Sequence, residues 1–502
     1  MAAADTLPAR LATISALVPT RTAVVDGERR VSYGDLWAQV QAFAAHLRQL
    51  GVMPGDRVAL VLPNRIEAIT ATYATWLLGA VAVPLNVQAR ARDLAPWLAH
   101  CGARVVVHEH GHPDVAPLLP GLATVEHAVV LEPGRDLPGD DAGALLPATA
   151  SPDEPAQILY TSGTTGAPKG VTLTHGNLAA NTAAVVEYLR LRPDDSVLAV
   201  LPFYYAYGNS VLHTHLAAGA CLHLARNAVF PLQLVEALAS GRITGFSGVP
   251  STFALLLQHV DFTAQDLPHL RYVTQAGGAM SRAMAGRLRF ALPRAQLFVM
   301  YGQTEATSRL TWLPPERLDD KPGSVGVPVA GVSLRICDPQ GAPLPTGVEG
   351  EVEVRGPNVM RGYWRDPEGT ARVLRDGWLR TGDIGHLDPE GFLYLAGRRS
   401  DMIKTGAHRV HPGDVEEALA EMPGVIEAAV VGIHDEVLGQ VIKAFVVARP
   451  PPPGGEAEVR AHCRALLAPY KVPRHVEFVD ALPRTASGKV RRVRLKEAEV
   501  LS

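Results

Sequence analysis

The sequence predicts an α/β protein in which a large N-terminal domain of doubly wound α/β subdomains carries a small β barrel, and a smaller α+β domain follows near residue 400. Three observations lead there. Short apolar strands alternate with helical stretches through the first half of the chain, the signature of a parallel sheet covered on both faces. Residues 323–357 change character, with short strands (333–336 and 351–354) among many Gly and Pro, which suits a small barrel or sheet. Beyond residue 400, helices, two apolar strands and a PPPP run at 450–453 make up about 100 residues, enough for a separate domain.

In chain order, the N-terminal stretch has Asp5 early and no sustained apolar segment, so it does not read as a secretory signal. Leu36, Val40, Phe43, Ala44, Leu47 and Leu50 recur at helical spacing over residues 36–50, and Gly51 stops that helix. Residues 56–62 read as a buried strand, 66–78 as a helix and 81–85 as a strand. The longest apolar run, 74–85, is too short to span a bilayer and reads as a buried helix passing into a strand. Another round covers 92–107, whereas 109–155 is rich in Gly, Pro and Asp and reads as an irregular connection. Helices are then expected over 177–191, 211–219, 232–238 and 251–259, with strands at 196–200, 220–224 and 245–246. In the C-terminal part helices are expected over 414–421 and 456–467, strands over 428–433 and 442–448, and a basic tail after them.

The 502 residues allow about three domains by length. With 47% hydrophobic residues, 19% charged and a net charge of −3, no global attraction to nucleic acid or an acidic membrane is indicated. Cys101, Cys221, Cys337 and Cys463 lie far apart with no C-x-x-C pair, which argues against a disulfide framework or structural zinc and fits a reducing, cytoplasmic setting. His213 and His215 point apart on a helix, so they read as core residues rather than metal ligands.

The most informative stretch is YTSGTTGAPKG at 160–170, fed by the apolar run Gln157-Ile158-Leu159-Tyr160. Glycines let consecutive backbone N–H groups turn toward one anion, hydroxyls add donors, and Lys169 can reach outer phosphates. The pattern is a strand running into a polyphosphate-holding loop. It is not the G-x-x-x-x-G-K-[ST] loop, because its glycines fall at 163, 166 and 170 and Gly170 follows the lysine. Four further stretches combine a turn with a functional side chain: Tyr301-Gly302-Gln303-Thr304-Glu305, Trp378-Leu379-Arg380-Thr381-Gly382-Asp383, Gly397-Arg398-Arg399-Ser400-Asp401, and Pro483-Arg484-Thr485-Ala486-Ser487-Gly488-Lys489.

Together with VSYGDL at 31–36 and GAVAVPL at 79–85, these stretches resemble in order and content the adenylate-forming superfamily: acyl- and aryl-CoA synthetases, adenylation domains of nonribosomal peptide synthesis, and firefly luciferase. The resemblance covers nearly the whole chain. It implies an N-terminal domain over 1–397 and a mobile C-terminal domain over 398–502 that rotates between two half-reactions about Ser400. The implied chemistry is attack of a carboxylate on the α-phosphate of ATP, loss of pyrophosphate, and transfer of the acyl group to a thiol of CoA or of a carrier protein's phosphopantetheine. By resemblance, Thr161, Ser162, Gly163, Thr164, Thr165, Gly166 and Lys169 cradle the β- and γ-phosphates. Glu305 holds Mg2+, Thr304 meets the α-phosphate, Tyr301 stacks near adenine, and Asp383 binds the ribose hydroxyls with help from Arg398. Lys489 bridges the carboxylate and the α-phosphate.

Two departures from the family pattern matter. Ala407 stands where relatives have a glycine that admits the pantetheine thiol, with Gly406 one place earlier, so delivery to a non-thiol nucleophile stays open. Tyr205 replaces a frequent His, and no acidic residue lies between 201 and 215, so the ammonium of an α-amino acid would be buried without a partner. An amino-acid adenylating ligase is therefore the lesser alternative. Tyr205, Tyr207, Gly248, Gly277 and Gly278 are expected to line an apolar, partly aromatic pocket, which points to an aromatic or medium unsaturated carboxylic acid. The expected partners are that small acid and, through the basic tail (Lys489, Arg491, Arg492, Arg494, Lys496), an acyl carrier protein or CoA phosphates. Without interleaved aromatics, the tail does not read as a nucleic-acid surface.

Overall fold

A computed structural model describes residues 6–132, 136–139, 150–161, 168–225, 230–240, 242–262, 265–406, 408–485 and 488–500. The alternation along the first half folds into two large sheets. In one, Val81–Pro84, Arg57–Val61, Val105–Glu109 and His127–Leu131 run parallel. Pro155–Thr161 joins Val81–Pro84 in parallel, and the antiparallel strands Lys169–Thr174 and Gly362–Tyr363 complete that edge. Its central strands are buried on both faces, which is why they read as continuous apolar runs rather than alternating ones. The second sheet places Gln296–Tyr301, Tyr272–Gln275, Gly245–Gly248, Ser196–Ala199, Cys221–Leu224 and Thr22–Asp26 side by side in parallel. The helix Ile66–Leu77 is buried along its whole length, its one charge, Glu67, being paired with Arg29 and Arg65 and its threonines Thr72 and Thr75 donating back to the helix backbone.

Several boundaries differ from the sequence reading, each for a local reason. The helix expected from residue 36 begins at Tyr33, because the Ser32 hydroxyl accepts from the Asp35 N–H and caps it. The helix expected from 211 spans Ala206–Ala218, so Tyr205 is its N-cap and Tyr207 lies in its first turn. Residues 109–155 are not wholly irregular, since they hold the helix Val115–Leu118 and the strand His127–Leu131. That strand closes a sheet edge with Ala128 and Val130 exposed, so it lacks the buried apolar run of a central strand. The basic tail folds as the helix Arg492–Val500, and Arg492 is not a solvated charge but pairs with Glu416 at 2.7 Å.

A small antiparallel sheet follows, ordered Ser333–Cys337, Gly350–Arg355, Trp378–Leu387 and Leu374–Arg375, with Leu393–Arg398 beside Trp378–Leu387. After the turn Arg399–Asp401, the chain enters a separate sheet of His408–Val410, Ile403–Thr405, Gly439–Ala448 and Val425–Asp435, with His475–Phe478 pairing Gly439–Ala448. That unit has its own core around Val415, Leu419, Val430, Ile442 and Val459. No helix among the described residues is long and apolar enough to cross a membrane. His213 and His215 sit in the core, within hydrogen-bonding distance of the hydroxyls of Tyr73 (3.1 Å) and Tyr272 (2.6 Å) respectively.

One polar contact ties these units together near the cleft described below. Asn177 forms a capping box with Thr174 at the start of the helix His175–Tyr188, and its amide also donates to the carbonyls of Pro357 and Val359, each at 2.8 Å. Asn177→Ala should lower stability by about 2–4 kcal/mol in urea denaturation, since a cap is lost and two carbonyls lose their donor.

Candidate active site

The four parallel strands Gln296–Tyr301, Tyr272–Gln275, Gly245–Gly248 and Ser196–Ala199 end along one rim of the second sheet. From Ser196–Ala199 the sheet continues to Cys221–Leu224 on one side and Gly245–Gly248 on the other. Chain order therefore reverses at this strand, where ligand crevices form at carboxyl ends in α/β sheets. The rim gathers residues far apart in sequence: Thr304 and Glu305, Gly277 and Gly278, Gly248, and Tyr205.

The turn after Tyr301 is tightly constrained. A side chain at Gly302 would put its Cβ 1.8 Å from the Ser308 carbonyl oxygen, so only glycine fits. Thr304–Ala306 form one 3-10 turn, and Thr307 adopts a left-handed φ of 64°, held there by its hydroxyl donating to the Asn358 carbonyl at 2.6 Å. For a β-branched residue this conformation costs about 1–3 kcal/mol. The turn presents Glu305, whose backbone carbonyl accepts from the Met360 N–H and whose Oε1 accepts from the Tyr363 hydroxyl at 2.9 Å. Lys169 lies over the same Tyr363 ring, 5.7 Å from its centroid. Lys169 heads the returning strand of a hairpin and pairs with Thr161, so these two residues flank the glycine-rich segment. Ser162, Gly163, Thr164, Thr165 and Gly166 lie outside the described residues.

A second cluster joins the two sheets and the C-terminal unit. The Tyr301 hydroxyl donates to Asp383 Oδ2 at 2.6 Å, and Arg398 Nε lies 3.3 Å from Asp383 Oδ1. Burial raises the Asp383 pKa above its ordinary value, with Arg398 and the Tyr301 hydrogen bond acting in the opposite direction. Lys489 follows the turn at Gly488 and lies in the field of Arg398, Asp383 and Glu305. Its side chain is open to the cleft, yet the surrounding protein and Arg398 lower its pKa while Asp383 and Glu305 oppose the shift. Beside this cluster is a cavity of about 250 Å3 lined by Gln303, Glu305, Tyr363, Thr381, Glu351 and Arg399. Ser400 is exposed in the turn Arg399–Asp401, while Arg399 itself is anchored to Glu351 at 2.7 Å. Ala407 lies outside the described residues, and the neighbouring Gly406 N–H donates to the Leu438 carbonyl.

On the opposite side of the rim, Tyr205 packs edge-on against Tyr204 at 4.8 Å, and burial pushes its phenol up to about 12. Tyr207 is tethered by its hydroxyl, 2.9 Å from the Thr274 carbonyl and 2.7 Å from the Thr274 hydroxyl, with the Arg309 guanidinium 4.2 Å above its ring. Gly277 takes a φ of 86°, and the Gly278 carbonyl accepts from the Gln275 amide. Sequence reasoning missed Tyr363, Arg309 and Glu351. Tyr363 reaches Glu305 only through a two-residue strand paired with Lys169–Thr174, which leaves no signal in residue spacing. Arg309 carried a faint one, a lone charge four residues after Glu305 in an otherwise uncharged run up to Trp312.

The AMP-binding enzyme family profile matches residues 13–364, and that of the AMP-binding enzyme C-terminal domain matches 414–489. The chain is 38% identical to a feruloyl-CoA synthase of Amycolatopsis sp over 490 residues, covering 96% of each protein. It is 36% identical to a 2-succinylbenzoate–CoA ligase of Geobacillus kaustophilus, covering 98% of each. Among solved structures, an anthranilate CoA ligase in complex with anthranoyl-AMP superposes with a TM-score of 0.91 at 27% identity, over 99% of this chain and 98% of that one.

The Tyr301 hydrogen bond should be measurable directly. Tyr301→Phe is expected to raise the Asp383 pKa further and to cost about 1–2 kcal/mol at neutral pH. Because the folded-state pKa of Asp383 is already raised, that loss should shrink as pH falls through it and the carboxyl becomes neutral in both proteins. Carboxyl NMR titration and denaturation at several pH values check both expectations.

Proposed function

The chain belongs to the AMP-binding enzyme family, and from that premise we propose that it activates an aromatic or medium unsaturated carboxylic acid with ATP and passes the acyl group to the thiol of CoA. The observation that carries this reading is the meeting of Glu305, Asp383, Arg398 and Lys489 at one cleft. These are charges suited to two anions that must react with each other. The names of its relatives, CoA ligases and synthases of aromatic acids among them, support the same class.

In the first half-reaction the acid's carboxylate oxygen forms a bond to the α-phosphorus of ATP, and the bond from that phosphorus to the bridging oxygen breaks, releasing pyrophosphate. Such chemistry asks the protein mainly for alignment and for charge placed where negative charge gathers. Thr161, residues 162–166 and Lys169 grip the phosphates that leave. Tyr363 occupies Oε1 of Glu305, leaving Oε2 as a hard oxygen donor beside that grip, which fits magnesium. When bound there, magnesium would neutralise phosphate oxygens. Thr304 faces the α-phosphate, and Asp383, held by Tyr301 and Arg398, accepts from the ribose hydroxyls. Since the Tyr301 hydroxyl is engaged by Asp383, the ring is what remains for adenine. Lys489 contributes a compact, flexible charge between the carboxylate and the α-phosphate.

In the second half-reaction a thiolate attacks the acyl carbonyl carbon and AMP leaves. The C-terminal unit turns about the segment at Ser400 to exchange Lys489 for the thiol path. That turn releases the contacts that hold the present arrangement, Glu417 on the Arg282 N–H and the Ser251 hydroxyl on the Gly488 carbonyl. Acceptors other than CoA are a carrier-protein phosphopantetheine and a non-thiol nucleophile, the latter suggested by Ala407 alone.

Pyrophosphate release with a panel of acids, repeated with CoA, with a phosphopantetheine-loaded carrier protein and with neither, tests the assignment. Aryl acids with CoA should yield a thioester and AMP; turnover of α-amino acids alone would overturn the substrate class, and AMP without a thioester would overturn the acceptor. Lys489→Ala should slow adenylation by about 10²–10³-fold, the usual effect of deleting one electrostatic stabiliser, and spare thioester formation from supplied acyl-adenylate. Because desolvation by the surrounding protein and the neighbouring Arg398 lower the Lys489 pKa, adenylation should fall as pH rises through a value below the ordinary lysine range. Lys489→Arg should remove that alkaline limb from the rate profile.

A further inference from the structure

Arg309 is a buried cation whose charge the described protein leaves unanswered. It is only 2% exposed. Among the described residues it forms no ion pair, and its Nε–H has no acceptor. Its polar contacts are the Ser308 hydroxyl at 2.5 Å and the neighbouring Tyr188 phenol, and its guanidinium lies on the Tyr207 ring. A guanidinium taken out of water without a carboxylate is costly unless something else compensates it. The fold's own compensation is one aromatic face and two hydroxyl groups.

The place of this charge matters. Tyr207 lies in the first turn of the helix capped by Tyr205, and its hydroxyl is fastened to Thr274 in the strand that leads to Gly277 and Gly278. Arg309 itself follows the turn that carries Thr304 and Glu305, and its backbone carbonyl is fixed by the side-chain amides of Asn181 and Asn358. The guanidinium is therefore held between the first turn of that helix and the segment after Glu305, beside Tyr207, which the acid-ligase reading places at the acid pocket, and it has little freedom to withdraw.

We propose that Arg309 is a specificity-determining residue, selecting acids that carry a second anionic or acceptor oxygen at the end remote from the reacting carboxylate. This rests on the acid-ligase reading above. The unpaired Nε–H and the guanidinium charge stabilise that distal oxygen, whereas an acid ending in hydrocarbon leaves the cation without an answer. A site with a buried donor discriminates strongly against a ligand that lacks the acceptor. Tyr207 is a positioning residue here, since it holds the guanidinium plane.

The test compares cinnamate with its 4-hydroxy and 4-carboxy derivatives by pyrophosphate release, in the wild type, Arg309→Met and Arg309→Lys. In the wild type the two substituted acids should have kcat/KM at least tenfold above cinnamate, the difference lying in KM. Arg309→Met should abolish that preference, bringing the three acids to within about twofold of one another in kcat/KM, and hold or raise Tm, because an uncompensated buried charge is removed. Arg309→Lys, which keeps the charge but loses the Nε–H, should retain part of the preference for the carboxylate and lose that for the phenol. Equal kcat/KM for all three acids in the wild type would overturn the role of Arg309 while leaving the ligase reading intact. A uniform loss across the acids in both variants, with lowered Tm, would show a structural arginine and also overturn it. Turnover of none of the three, with other acids accepted, would overturn both this role and the aryl-acid reading.

Discussion

The hydrogen bond from Tyr301 to Asp383 is the contact on which the site's geometry rests. Tyr301 ends a central strand of the second large sheet, and Asp383 sits in the long strand of the small antiparallel sheet. Arg398, the last residue before the turn into the C-terminal unit, closes on the other oxygen of the same carboxylate. Two sheets thus meet at one buried acid, with Arg398 reaching it from the strand beside Asp383. A buried carboxylate tolerates few arrangements of its partners, because each missing donor carries the full desolvation penalty. Precision at the site comes from that intolerance.

The same cluster also sets the electrostatic character of the cleft. Lys489 and Arg398 are like charges that oppose one another, and Asp383 and Glu305 restrain both. The group carrying a compact, mobile charge is the one brought by the C-terminal unit, on a short glycine turn. The fixed charges belong to sheets. The proposed reaction between two anions, followed by a second step with a different nucleophile, calls for this division, in which the scaffold would hold the nucleotide and the C-terminal unit would supply and withdraw the neutralising lysine.

Among the described residues, polar contacts across the two units include Glu417 on the Arg282 N–H, His411 near Glu349, and the Ser251 hydroxyl on the Gly488 carbonyl. The apolar core of the C-terminal unit is complete without its neighbour. Polar contacts of this kind exchange at low cost, as the proposed turn of that unit requires. The strain is placed elsewhere, at Thr307, where the turn presenting Glu305 is locked.

Much of this protein was legible in the sequence by itself. The apolar strands and their helical partners and the change of character near residue 400 are set by short-range patterns, because strand burial and turn chemistry write themselves into neighbouring residues, whereas the roles proposed for Lys169, Thr304, Glu305, Asp383, Arg398 and Lys489 rest on the resemblance of the ordered motifs to a family. Helix starts were less legible where a polar cap, such as Ser32, or a loop-like run, such as 206–209, carried no apolar period. Only the tertiary structure decided that Tyr363 lies on Glu305, that Tyr301 spends its hydroxyl on Asp383, and that Arg309 is buried on Tyr207 with no carboxylate partner among the described residues. Those are contacts between residues 58, 82 and 102 positions apart. Such pairs follow from which strands lie side by side in the sheets and which helix covers them, and no local spacing encodes that choice.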